Sequence, residues 1–331
     1  MMENKVIFLQ DSDLLVSDIK NACISTDKTI GVNKLNCLKG VSLLLEGTVL
    51  PYYHPEEMKR VTNEIINATV QDCLSNFLPE DNINSVDHLY HTLSMRDNFR
   101  KQIDPLYKNK GIKKYNSFMN PEIRQFIIDE YGIYDRTNNP SGTVFVGSNF
   151  EADDRIGIAA TYFYRKFLSE GFNPIIIVCS EDKDMKTIPN IYIYNPTNQE
   201  FFYNDYLSAT KFWLAQILAG DIADNVIVTP KQFDYKTGTL NKNGFGMKTA
   251  MKFVEERLNH GIKHTYNCIK DLYIKSGIES QCEINAQLLR ILTIDYFDPI
   301  NQEAVIFNEG MLDRLDEEFV VEMDKINTSR K

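Results

Sequence analysis

Residues 142–184 read GTVFVGSNFEADDRIGIAATYFYRKFLSEGFNPIIIVCSEDKD, and the fold is decided there. TVFVG has the apolar, β-branched character of a strand. From Phe150 to Glu170 the apolar residues Ile156, Ala159, Ala160, Phe163 and Phe167 recur at helical spacing on one face, and Gly171 closes the helix. PIIIVC, residues 174–179, is apolar throughout, as expected of a central parallel strand covered on both sides. This strand–helix–strand order predicts a parallel sheet.

Working outward, NIYIYNP at 190–196 adds a strand, and KVIFLQ at 5–10 reads as another. Asp11 and Asp13 follow it at its carboxyl end, where open α/β sheets place ligands. The stretch from Asn33 to Leu78 carries helical periodicity, HLYHTL at 88–93 is strand-like, and a helix is expected over Asp205–Ala219, ended by Gly220. Gly244 and Gly246 introduce a further helix, and the remainder to Lys331 reads as mainly helical. The expected fold class is α/β: a mixed, mainly parallel central sheet flanked by helices (residues 1–204), followed by a helical region (205–331).

The chain of 331 residues is 43% hydrophobic, enough for a substantial core. Its six cysteines show no CxxC pairing and no histidine at zinc-finger spacing, which argues against a disulfide framework and a structural zinc. No run of about 18 apolar residues occurs, so no membrane partner is expected and a soluble, cytoplasmic protein is. The net charge of −10 excludes binding to nucleic acid through a general positive field. Binding of that kind has to be local. One local candidate is the basic run around Phe99, Tyr107 and Tyr115, with Arg96, Arg100, Lys101, Lys108, Lys110, Lys113 and Lys114.

Carboxylates gather at the ends of the predicted elements: Glu151, Asp153 and Asp154 in EADD, Asp182 and Asp184 in SEDKD, Asp221 and Asp224 in GDIADN, and Asp11 with Asp13. Taken singly, each group fits a helix cap or a turn. In a parallel sheet, however, the strand ends converge, and so much negative charge is unfavourable without cations. All-oxygen donors favour Mg²⁺, or Mn²⁺ as a substitute, over zinc. Two such ions about 4 Å apart suit phosphodiester hydrolysis.

The series EADD, an apolar strand ending in SxDxD, GDxxDN and then GxGxxTA over 244–250 resembles the 5′-nuclease superfamily. That superfamily includes flap endonucleases, phage 5′-exonucleases and the ribonuclease H of T-even phages. The resemblance covers about Gly142 to Phe253, with a weaker stretch, RDNFRKQIDPLYK, at 96–108. It implies a PIN-like nuclease core, a helical arch near 95–135 and a helix-hairpin-helix-type region beyond. Two or more metal ions would sit on Glu151, Asp153, Asp154, Asp182 and Asp184, with Asp221 and Asp224 completing the second site. Arg100, Tyr107 and Lys108, together with Arg96, would grip the 5′ strand beside the scissile phosphate. Gly244, Gly246 and Lys248 would hold duplex backbone, with K⁺ at the glycine hairpin.

Two positions depart from the family pattern. Aligning IFLQDSDLL on its apolar residues places Gln10 where the family carries an aspartate, so that Asp11 or Asp13 would take over; Ser94 stands at a second such position. The implied substrates are DNA with 5′ ends, flaps or RNA–DNA hybrid in phage-type replication, with a single-strand-binding protein or polymerase as partners. A non-catalytic DNA-binding homologue and a PIN-type ribonuclease are the alternatives.

Overall fold

The computed structural model describes residues 2–23, 43–45, 48–50, 55–78, 81–94, 98–109, 120–131, 143–146, 149–301 and 303–329. In chain order the elements are β1 (Asn4–Asp11), α1 (Ser12–Cys23), β2 (Leu43–Leu45), β3 (Thr48–Leu50), α2 (Pro55–Leu74), β4 (His88–Leu93), α3 (Arg100–Ile103) and α4 (Asn120–Tyr131). Then come β5 (Thr143–Val146), α5 (Ala152–Ser169), β6 (Asn173–Cys179), β7 (Ile191–Asn195), β8 (Glu200–Asn204) and α6 (Tyr206–Ala219). The last part holds β9 (Lys231–Asp234), β10 (Thr239–Gly244), α7 (Met247–Glu255), α8 (Ile262–Lys275), α9 (Ser280–Leu288), β11 (Phe297–Asp298), β12 (Glu303–Ala304) and α10 (Leu312–Ser329).

The central sheet has the order β5-β4-β1-β6-β7-β8. All pairings are parallel except β7 with β8, so the sheet is mixed and mainly parallel, as expected. Alternation explains why β1 and β6 read as continuous apolar runs. Ile7, Leu9, Ile176 and Val178 face Ile156, Ala159, Ala160, Phe163 and Phe167 of α5. Val6, Phe8, Ile175 and Ile177 face Cys73 and Leu74 of α2 on the other side. Covering both faces removes each side chain from water, about 1.5–3 kcal/mol per large aliphatic group.

Three local expectations are corrected. Leu43–Leu45 and Thr48–Leu50 pair as antiparallel strands inside the stretch read as helical. Strand β8 returns antiparallel at the sheet edge, where the sequence showed no separate signal. Between α6 and α7 stands the hairpin of β9 and β10, so the glycine-containing turn is preceded by a two-stranded ribbon and not by a helix. Of the expected arch, residues 95–97, 110–119 and 132–135 lie outside the described residues, while Ile123 and Ile127 of α4 pack on Leu15, Val16 and Ile19 of α1.

Candidate metal centre

The site assembles at the carboxyl ends of the parallel strands. Helix α5 is the element that follows β5, with Glu151 as its N-cap and Asp153 and Asp154 in its first turn. Carboxylates are favoured there by the helix dipole. Oxygens of Glu151, Asp153 and Asp154 lie within 4.8 Å of one another. Burial, with the neighbouring charges of Glu151 and Asp154, pushes the Asp153 carboxyl well above the usual range despite Arg100 and Lys108 nearby. The donors are all hard oxygen, and their mutual repulsion is what a divalent cation would relieve, so the residues fit such an ion.

Asp154 and Arg100 form the buried floor. Arg100 Nη1 and Nη2 donate to Asp154 Oδ2 and Oδ1 at 2.6 and 2.7 Å. The remaining donors go to Glu151 Oε2 (3.3 Å), the Leu288 carbonyl (3.0 Å) and the Arg290 carbonyl (2.7 Å), so all five N–H groups are used. Asp154 also accepts from the amides of Leu292 (3.2 Å) and Glu151 (3.4 Å). Gly157 permits this arrangement, because a Cβ there would sit 2.2 Å from the Leu292 carbonyl oxygen. The expectation that Arg100 grips a DNA strand is therefore corrected: the side chain is 2% exposed and committed to the protein. Asp154 has its acceptor positions occupied and acts as the anchor of Arg100, whereas Asp153 is the first-turn carboxylate left, among the described residues, with a single amide donor, the N–H of Asp154 at 3.0 Å.

Tyr107 and Lys108 do reach the carboxylates. The Tyr107 hydroxyl lies 3.1 Å from Glu151 Oε2 and 2.8 Å from Asp224 Oδ2. Lys108 Nζ donates to Glu151 Oε1 at 2.7 Å and stands 3.6 Å from Asp224. Burial opposes its charge, but Asp153, Glu151 and Asp224 raise its pKa and keep it an ammonium. Its own backbone, at φ +53, donates to the Asp224 carbonyl at 2.9 Å, which ties this turn to the GDIADN loop.

That loop is shaped by Gly220, at φ +69, where a Cβ would lie 2.3 Å from the Val226 carbonyl oxygen. Asp221 is buried, and its Oδ1 accepts the Ala223 amide at 2.6 Å while Oδ2 meets Lys183 Nζ at 2.8 Å. Asp184 faces it. Burial, followed by Asp182 and Asp221, raises Asp184 to about 7. Asp182 accepts the Asp184 amide at 2.9 Å and donates its own amide to Ser180 Oγ at 3.1 Å. Ser180 Oγ in turn donates to Asp11 Oδ2 at 2.9 Å. Asp11 is thus the first-strand carboxylate on the site side, raised to about 7 by burial and then by Asp13.

Gln10 is buried, with its amide nitrogen on the Asp11 carbonyl at 3.2 Å. Ser94 Oγ accepts the Ala152 amide at 3.0 Å, which makes it a cap for α5. Gly244, Gly246 and Lys248 lie apart from the carboxylates, on the surface where β10 leads into α7; Gly246 is the α7 N-cap, and a side chain at Gly246 would meet nothing within 4 Å. Arg96 lies outside the described residues. Sequence reasoning missed Ser180, Lys183 and Gln216. Gln216, fully buried, donates to Asp184 Oδ1 at 2.6 Å, and a lone amide in the apolar run WLAQILA was its available signal.

No helix among the described residues is long and apolar enough to cross a membrane. No protein-family model matches the chain, and no curated protein matches it by sequence. Solved structures do match its shape. The bacteriophage T5 5′-exonuclease with bound zinc is similar over 97% of this chain and 99% of its own, at 13% identity and a TM-score of 0.52. A bacteriophage T5 flap endonuclease, in a pseudo-enzyme-product complex with DNA and metal ions, is similar over 97% and 100%, at 13% identity and a TM-score of 0.53. With its mixed, mainly parallel sheet and its acids at the strand ends, this chain has the 5′-nuclease fold.

Proposed function

We propose that the protein is a metal-dependent 5′-nuclease that hydrolyses phosphodiesters near 5′ ends, as a 5′–3′ exonuclease, a flap endonuclease or both. The observation that carries this reading is the meeting of Glu151, Asp153 and Asp224 around Lys108 and Tyr107, contributed by three separate stretches of chain. The metal ions would be Mg²⁺, with Mn²⁺ as a substitute. Glu151, Asp153, Asp154, Asp182 and Asp184 would be the metal carboxylates, with Asp221 and Asp224 completing the second site and Asp11 as the first-strand donor. Bound there, the ions supply a water of lowered pKa and stabilise the leaving oxygen.

The remaining roles belong to the chain. Arg100 and Asp154 set the first turn of α5 and hold Glu151. Lys108, 34% exposed and fully charged, stands at the edge of the cluster, where it would meet a phosphate oxygen. Residues 205–331 would bind duplex, with main-chain N–H groups near Gly244 and Gly246 and the ammonium of Lys248 directed at phosphates, and K⁺ at this turn. DNA flaps or RNA–DNA hybrid in phage-type replication are the proposed substrates, with a single-strand-binding protein or polymerase as partners.

A non-catalytic DNA-binding role is favoured by one observation only: Gln10 and Ser94 present no carboxylate and are engaged within the protein. Cleavage of 5′-labelled flap, nicked and RNA–DNA hybrid duplexes with Mg²⁺ or Mn²⁺ separates the readings. Products that require metal and vanish in Asp153→Ala and Asp182→Ala support the nuclease. Duplex binding without any cleavage by the wild type supports the second role.

A further inference from the structure

Residues 260–268 read HGIKHTYNC, which sets His260, His264 and Cys268 four positions apart. Four residues make about one turn of an α-helix, so such a series lines one face. This is not zinc-finger spacing, and it gathers the three side chains only if the segment is helical. The fold makes it so. His260 ends the 3₁₀ turn Leu258–His260, and α8 starts two positions later and carries His264 and Cys268.

What the helix buries decides where they point. Ile262, Tyr266, Ile269, Leu272 and Tyr273 pack into the core of the helical region, which leaves His264 and Cys268 on the outer side of α8. The junction between the turn and α8 is held from α10. Asp316 Oδ1 accepts the amides of Ile262 and Lys263, the second at 3.1 Å, and Thr265 Oγ1 donates to the Gly261 carbonyl at 2.7 Å. Gly261 itself takes φ +103, and a Cβ there would lie 2.8 Å from Asp316 Oδ1. The backbone that presents the two histidines is therefore fixed.

The separations suit one ion. Cys268 Sγ lies 3.6 Å from His264 Nε2, and the ring centres of His260 and His264 are 5.2 Å apart. A tetrahedral Zn²⁺, with bonds of about 2.3 Å to sulfur and about 2.0 Å to nitrogen, holds that pair of atoms about 3.5 Å apart and the centres of two imidazoles about 5 Å apart. As a hydrogen bond alone the Cys268–His264 contact contributes little, because a thiol is a weak donor. His260 is exposed, so its ring can turn onto the pair without unpacking anything, and Cys268 is only half-buried, unlike Cys73, Cys179 and Cys282. One thiolate with two imidazoles is a softer donor set than the carboxylates at the strand ends, and it favours Zn²⁺ over Mg²⁺.

We propose that His260, His264 and Cys268 form a second metal site, a surface Zn²⁺ site with three protein ligands and water in the fourth position, sharing no residue with the carboxylate centre. Binding takes the thiol proton into solvent and moves no electrons. The ion would clip the 3₁₀ turn to the middle of α8.

The test is titration of the metal-stripped protein with Co²⁺, read by absorption, in excess Mg²⁺ to keep Co²⁺ off hard oxygen donors. About one equivalent is expected to raise a near-ultraviolet thiolate-to-cobalt charge-transfer band together with the visible bands of tetrahedral Co²⁺, and Zn²⁺ is expected to bleach both. The carboxylate centre holds no sulfur, so this band does not report on it. Cys268→Ser is expected to abolish the band. His260→Asn and His264→Asn are each expected to weaken Co²⁺ binding by more than about tenfold, the least that even an outer partner of a ligand contributes. Asn267→Ala, at an exposed position of α8, is the control and is expected to match the wild type. A wild type without the band, a band that persists in Cys268→Ser, undiminished affinity in either histidine variant, or an equal loss in the control would each overturn the site.

Discussion

Arg100 and Asp154 face each other edge to edge, with two N–H···O bonds of 2.6 and 2.7 Å between side chains that are 2% and 0% exposed. The pair joins three parts of the chain, because Arg100 also holds the carbonyls of Leu288 and Arg290. Its attraction offsets a large desolvation cost only while both partners are present. Arg100→Met is therefore expected to destabilise the fold by about 4 kcal/mol, since it leaves Asp154 buried and unpaired. Urea unfolding measures this. A loss under about 1 kcal/mol would show that the carboxylate finds water or other donors.

Gln216 acts on Asp184 without belonging to the acidic cluster. Its Nε2 holds Asp184 Oδ1 at 2.6 Å, while its own Oε1 is buried without a partner among the described residues. Gln216→Leu keeps the volume and removes that unsatisfied acceptor, so thermal stability is expected to hold or rise. Mn²⁺ affinity, followed by titration calorimetry, is expected to fall about 10- to 100-fold as Asp184 loses the group that orients it. Unchanged affinity would confine Gln216 to packing.

The carboxyls Asp11 and Asp184 are both raised to about 7, by burial first and neighbouring carboxylates second. A cation binds their deprotonated forms, so metal binding releases protons. Apparent Mn²⁺ affinity is therefore expected to climb from pH 6 to about 7 and level off above, by up to about tenfold per unit for each proton released. Calorimetry in buffers of different ionisation enthalpy reads the proton count directly. A pH-independent affinity would place both groups outside the ion's reach.

His91 works in the opposite sense on the fold. Its ring is buried in the sheet, 3.1 Å from Ser12 Oγ, and burial lowers its pKa from 6.5 to about 4. The unfolded chain then holds the extra proton between those values, so stability is complete above pH 6.5 and drains away as pH falls toward 4. Between pH 7 and 5 the contribution lost is about 2 kcal/mol. Asp11 and Asp184 shift stability the other way over this range, so the measurement is the difference between wild type and His91→Gln in urea. The variant should show the shallower acid loss; equal slopes would mean His91 titrates normally.

The repeating strand–helix pattern, the apolar β6, the amphipathic α5 and the acids at the strand ends were legible because periodicity and strand-end position are local properties of the chain. The positions of Asp153, Asp184, Asp221 and Asp224 followed from the same reading. Strands of three residues, such as β2 and β3, carry too few alternations to register, and the β9–β10 ribbon is polar on both sides, so no apolar period announces it.

What each acid does was decided only in three dimensions. Asp153 and Asp154 are neighbours in one motif, yet Asp154 is saturated by Arg100 and the Leu292 amide, 138 positions away, while Asp153 stays in the charged cluster. Likewise Asp11 and not Gln10 faces Ser180, because side chains alternate across β1 and a one-residue shift moves a group to the other face. By itself the sequence determined the parallel strands at the heart of the sheet, the helix α5 between two of them and the pool of carboxylates. The tertiary structure alone decided which carboxylates are neutralised by protein donors and which stay together in the acidic cluster, because that choice depends on desolvation and on donors brought from distant segments.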